Sequence, residues 1–176
     1  MSGTYDLFVL QRAPMPGTAG VLKVHATMRG HDAITSDVDV YIVDRGDDDA
    51  EPEQIIDVEQ ALAAVSASPR LGLVQYDIDD TFVNCTFLSE YNDGYMDGVK
   101  LSIEQRAFEE QPHLRDKMVA LGRALHDELD AVRTVMAWGV AERGFDWRAE
   151  LAKARGGERA GTFDLLDLFS PDPPTR

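Results

Sequence analysis

The sequence predicts an α+β fold: a mostly antiparallel sheet of five to six strands with one inserted helix, then a long C-terminal helix with a short helix packed on it. Three observations lead there. Strand-like runs crowd into the first hundred residues, Gly- and Asp-rich turn signals separate several of them, and from His113 the apolar period changes to that of a helix. At 176 residues the chain suits one domain, taken as 1–160, with 161–176 as a tail carrying an apolar cluster and a proline-rich end.

"YDLFVLQ" (Tyr5–Gln11) is apolar on both faces, as a central strand is. The loop "RAPMPGTAG" follows. "VLKVHATM" alternates, with Leu22, Val24, Ala26 and Met28 on one side and Lys23, His25 and Thr27 on the other, and "DVDVYIVD" does the same through Val38, Val40 and Ile42; both read as half-buried strands. The acidic loop "RGDDDAEPEQ" leads into the inserted helix, with Pro52 near its first turn and a stripe of Ile55, Val58, Leu62 and Val65. "LGLVQYDID", "TFVNCTFLS" and "GVKLSI" complete the strands, being rich in β-branched and aromatic residues.

Leu114, Met118, Leu121, Leu125, Leu129, Val132 and Met136 recur every three or four residues, a helix pattern carried to about Glu142, with Gly122 as a place for a break. Asp146 caps a short helix, "WRAELAKAR", closed by Gly156-Gly157. In the tail, Phe163, Leu165, Leu166, Leu168 and Phe169 are expected to pack internally, since left in water they would form an unusual patch.

Charge is concentrated. Between Gly30 and Asp97 stand 17 acids against Arg45 and Arg70, a net charge equal to the −15 of the whole chain. Such a field repels nucleic acid and anionic lipid and attracts basic partners. No apolar run approaches the roughly 18 residues of a membrane span, the start shows no signal-peptide pattern, and a cytoplasmic location is the simplest expectation. Cys85 is the only cysteine, which excludes an internal disulfide and a multi-cysteine metal site.

Candidate sites are few. In "NDGYMDGVKLSIE", Asp93, Asp97, Gly98 and Glu104 match a calcium loop at positions 1, 5, 6 and 12, but Tyr95 stands at position 3 and both flanks read as strands, so a hairpin turn is expected. "DIDD" sets Asp77 and Asp79 on one strand face, with Asp80 beyond; a solvated face explains this without a magnesium ion. His25, His31, His113 and His126 do not cluster, and Cys85 has no adjacent base to activate it. Trp138 and Trp147 read as core residues. No cofactor or metal is expected.

With no catalytic constellation, the sequence favours an acidic protein-binding module (an inhibitor, immunity-type or adaptor protein) engaging a basic surface of a partner protein. Asp47, Asp48 and Asp49 in the loop and Asp77, Asp79 and Asp80 at the strand end would steer and pair with its Arg and Lys. Direct nucleic-acid or membrane binding is not expected. The alternatives are a divalent-metal-dependent hydrolase using Asp77, Asp79, Asp93, Asp97 or Glu104, and a structural homo-oligomer paired through the long helix or the C-terminal tail.

Overall fold

A computed structural model describes residues 3–33, 41–44, 53–55, 57–140 and 144–172, with the backbone alone for 41–44 and 53–55. Its strands are β1 (Thr4–Pro16), β2 (Tyr41–Asp44), β3 (Glu53–Ile55), β4 (Leu73–Ile78), β5 (Thr81–Leu88), β6 (Tyr95–Glu104), β7 (Ala131–Trp138) and β8 (Leu166–Phe169). Its helices are α1 (Gly17–Gly30), α2 (Val58–Ala67), α3 (Gln105–Glu110), α4 (Pro112–Glu128) and α5 (Trp147–Arg155). The strands form one sheet in the order β3-β2-β4-β5-β6-β1-β7-β8, and every neighbouring pair is antiparallel. The α+β class and its antiparallel sheet agree with the sequence reading; the helices do not all fall where it put them.

The long C-terminal helix is the main correction. α4 stops at Glu128, Asp130 takes a left-handed φ of 47°, and the chain returns as β7 between β1 and β8. β7 is buried from Ala131 to Ala137, on both of its faces, and is apolar there except at Arg133 and Thr134. A run with apolar residues at nearly every position satisfies a helical period as readily as a strand's, which is why Val132 and Met136 extended the helix pattern falsely. Gly122 does not break α4. A Cβ there would lie 2.6 Å from Leu166 Cδ2 and 3.0 Å from Leu7 Cδ1, so glycine lets the helix sit close on the sheet. Nor does the short helix pack on the long one. α4 lies with α1, α2 and α3 on the first face of the sheet, whereas α5 lies on the second.

"VLKVHATM" is helix, not strand. Val21, Val24 and Met28 are buried at helical spacing, and Leu22, which the alternation placed inside, is 58% exposed. The glycines before it serve packing: a Cβ on Gly17 would fall 2.7 Å from the Gly94 carbonyl, and one on Gly20 would fall 2.7 Å from Met96 Cε. The inserted helix begins later than expected, because Asp57 caps it by accepting the Gln60 N–H; Ile55 belongs to β3. Pro52, Val38 and Val40 lie outside the described residues. α5 is as read, with Asp146 accepting N–H groups from Arg148 and Ala149.

The first face buries Leu7, Val9, Val83, Cys85, Leu101 and Ile103 against Val24, Leu62, Leu114, Leu121 and Leu125 of the helices. The second face is covered only in part. Phe8, Leu10, Val135 and Ala137 pack under Leu151 and Ala154 of α5, with Phe145, Trp147, Phe163 and Phe169 around them. The apolar tail cluster therefore packs internally, and Leu166–Phe169 closes the sheet as the edge strand β8.

β1 and β6 approach so closely that a Cβ on Gly98 would lie 2.2 Å from the Val9 carbonyl oxygen. Gly98→Ala should therefore destabilise by about 1–3 kcal/mol through forced strand separation, and Leu121→Ala, under the centre of α4, by about 2–5 kcal/mol. Urea denaturation measures both. Wild-type stability in either variant would contradict this packing.

Candidate protein-binding face

Among the acids singled out by sequence, Asp47, Asp48 and Asp49 lie outside the described residues. Asp77 sits in β4 on the second face of the sheet. Asp79 and Asp80 form the two-residue turn to β5, with φ of 51° and 64°, the double left-handed conformation of a tight hairpin whose right-handed twist suits the strands. Asp79 is held by Lys117 at 2.6 Å, and His113 stands 3.3 Å away. The Lys117 hydrogen bond keeps its carboxyl below the usual range. Asp80 is exposed.

The calcium-like stretch is dispersed by the fold. Asp93 accepts the Tyr95 N–H inside the β5–β6 turn. Asp97 is buried within β6, where it accepts the Glu90 N–H and pairs with Arg155 at 2.9 Å. Glu104 ends the same strand. Among the described residues no group of three or more His, Cys, Asp or Glu could hold a metal ion. Cys85 is buried, and burial pushes its thiol far above the ordinary range, so it offers no thiolate. Trp147 packs against the second-face core, while Trp138 is 37% exposed at the end of β7.

What the sheet does bring together is a surface that sequence reading missed. On the second face of β4, β5 and β6, beyond the reach of α5, side chains stand in rows. Gln75, Asn84, Ser102 and Asp6 lie opposite one another across four strands. Gln75 donates to Asn84 at 3.1 Å, and Ser102 and Thr4 donate to Asp6 at 2.8 and 3.0 Å. Asp6 is fully buried, so these hydroxyl donors replace water around its carboxylate. In the next row Asp77 lies opposite Phe82, and extending the Val83–Ile103 register by one residue sets Phe82 level with Glu104. Phe82 is 65% exposed, a large ring presented from a strand between two carboxylates. On the other side of the polar row, Thr86 lies opposite Lys100, whose ammonium stands 5.8 Å from the centre of the Phe8 ring.

The signal for this face lay in alternation: Phe82, Asn84 and Thr86 occupy the positions between buried Val83, Cys85 and Phe87. Only the pairing, which the sequence does not state, shows that three strands share a face left uncovered by the described residues.

Comparison with protein-family models, with curated proteins and with solved structures finds no match to the chain. Among the described residues no helix is long and apolar enough to cross a membrane.

Two histidines, His25 on α1 and His126 on α4, are tied to neighbouring hydroxyls. His25 Nδ1 lies 2.9 Å from the Tyr76 hydroxyl, and His126 bonds through both ring nitrogens. Burial holds both imidazoles below their ordinary value of 6.5; for His126 Arg12 adds to the lowering while Asp127 and Asp130 oppose it. As pH falls below about 6.5 the unfolded chain therefore takes up these protons first. Stability contributed by the neutral rings is complete above that pH and is lost as pH falls toward their folded values. Denaturation at pH 7 and pH 5 should show a drop that shrinks in a His25→Gln, His126→Gln double variant; an undiminished drop would assign the pH dependence elsewhere.

Proposed function

We propose that this chain is an acidic protein-binding module (an inhibitor, immunity-type or adaptor protein) that engages a basic surface of a partner protein through the second face of β4, β5 and β6. The observation that carries the reading is Phe82, exposed on that face between Asp77 and Glu104. A ring on a rigid strand loses little conformational freedom on binding and suits the role of an anchor, while surrounding carboxylates select Arg and Lys. Asp80 in the adjoining turn extends the same sign of charge, within a chain of net charge −15 to which Asp47, Asp48 and Asp49, outside the described residues, contribute in sequence. Asp79, already paired with Lys117, contributes to the field more than to contact.

The test begins with capture of partners on the full chain at low salt, followed by association and dissociation rates for each purified partner. Phe82→Ala should speed dissociation and weaken affinity tenfold or more. Asp77→Asn, Asp80→Asn and Glu104→Gln together should slow association several-fold at low salt, with the gap closing near 0.15 M, where the screening length is about 8 Å. Circular dichroism confirms the fold of each variant. Partners that bind both variants at wild-type rates would rule out this face.

A further inference from the structure

A second site lies across the sheet from this face, between α4 and the edge strand β8. A cleft of about 480 Å³ is lined by Arg123, His126 and Asp127 of α4, by Arg159, by Asp167, Leu168 and Phe169 of β8, and by Ser170 just beyond it. Inside it Ser170 Oγ stands 3.0 Å from His126 Nε2, while His126 Nδ1 stands 2.7 Å from Thr134 Oγ1. His126 is 8% exposed and Thr134 is fully buried on β7, so the ring is fixed in orientation by groups on two different elements. Sequence reading could not pair these residues, because 44 positions separate His126 from Ser170 and no nucleophile motif surrounds the serine.

We propose that Ser170 and His126 form a nucleophile–base pair that reacts with small acyl esters carrying an anionic group. With Nδ1–H donated to Thr134 Oγ1, Nε2 is left as the acceptor of the Ser170 hydroxyl proton, the arrangement an activated serine requires. Thr134 is the positioning residue. Burial keeps the imidazole neutral near pH 7, which leaves it free to act as a base.

Charge in the cleft sets the substrate class. Arg123 is exposed and makes no ion pair among the described residues. Arg159 bonds Asp167 at 3.0 Å, but that carboxylate is also held by buried Arg133, so Arg159 keeps donors to spare. Two guanidiniums at one mouth suit a carboxylate or phosphate on the substrate. Asp127 at the rim works against a second anionic group. The Ser170 N–H is donated to the Val132 carbonyl, so that amide does not serve the developing oxyanion.

In the first step Ser170 Oγ bonds to the acyl carbon and the bond from that carbon to the leaving oxygen breaks; the proton passes from Oγ to Nε2 and on to the leaving oxygen. Water then attacks the acyl-serine, giving its proton to Nε2 and then to Oγ, which frees the carboxylic acid. The balance is ester plus water to acid plus alcohol.

The full chain treated with a fluorophosphonate at pH 7.5 should gain one adduct, mapped by peptide mass spectrometry to Ser170, with none on Ser89 or Ser102. Thr134→Val should retain the wild-type far-ultraviolet spectrum yet label at least tenfold more slowly. Arg123→Ala should slow hydrolysis of a p-nitrophenyl ester bearing a carboxylate several-fold more than it slows hydrolysis of p-nitrophenyl acetate, and equal slowing of the two esters would overturn the anionic substrate class. No Ser170 adduct on the folded wild type, or Thr134→Val labelling at the wild-type rate, would overturn the proposal and leave His126 as a structural tie between α4, β7 and the chain end. Because this site shares no residue with the binding face, either can fail alone.

Discussion

A guanidinium with no exposure to solvent, Arg133 in the middle of β7, constrains how the second layer of this protein is built. A buried cation costs several kcal/mol in lost hydration unless paired, and removing one partner of such a pair is strongly destabilising. Asp167 of β8 supplies the main carboxylate and Glu150 of α5 a second at 3.6 Å, while the rings of Phe163 and Phe169 lie 5.7 and 5.9 Å from the guanidinium carbon. Burial alone would raise the Asp167 carboxyl, but hydrogen bonds from Arg133, the Phe163 N–H and Arg159 hold it below its usual range. One side chain thus draws an edge strand, a helix and the loop between them onto the same patch of sheet.

That constraint explains why the sheet is covered unevenly. α5 is fixed over β1 and β7 by Arg133 at one side and at its C-terminal end by Arg155, which reaches Asp97 on β6 and the Gln11 carbonyl on β1. Only nine residues long, α5 spans about 13 Å and cannot also roof β4 and β5. The uncovered strands meet water with hydrogen-bonded polar rows instead of a second apolar layer, and a single exposed phenylalanine stands out against them. Much of the acidity that looks like one undivided field in sequence is consumed by the fold: Asp57 caps α2, Asp79 binds α4, and Glu90 and Asp97 receive Arg155. What is left for a partner is smaller and more local than the net charge suggests.

The parts of the fold legible in sequence were those with a single unambiguous period or a strong punctuation mark. β4, β5 and β6 showed alternation with turns between them, and α5 carried its own cap and glycine stop. α1 was misread because Val24 and Met28 satisfy both a period of two and a helical one, and its glycines, which suggest a loop, serve close packing against Met96 and Gly94. β7 was misread because burial on both faces erases alternation. Pairings between distant residues, such as His126 with Ser170 or Phe82 beside Asp77, depend on register and on α4 ending at Glu128, which no local pattern states. The acidic loop residues Asp47–Asp49 lie outside the described residues, so the binding face rests on the strands alone.

Hydrogen–deuterium exchange on Asp167→Asn tests most directly whether Arg133 holds the second layer as a unit. Loss of that carboxylate should remove protection from β8 and α5 together, while β4, β5 and β6, packed on α1, α2 and α4, keep theirs. A uniform loss across the sheet, or unchanged protection in β8 and α5, would contradict a second layer organised around the buried arginine.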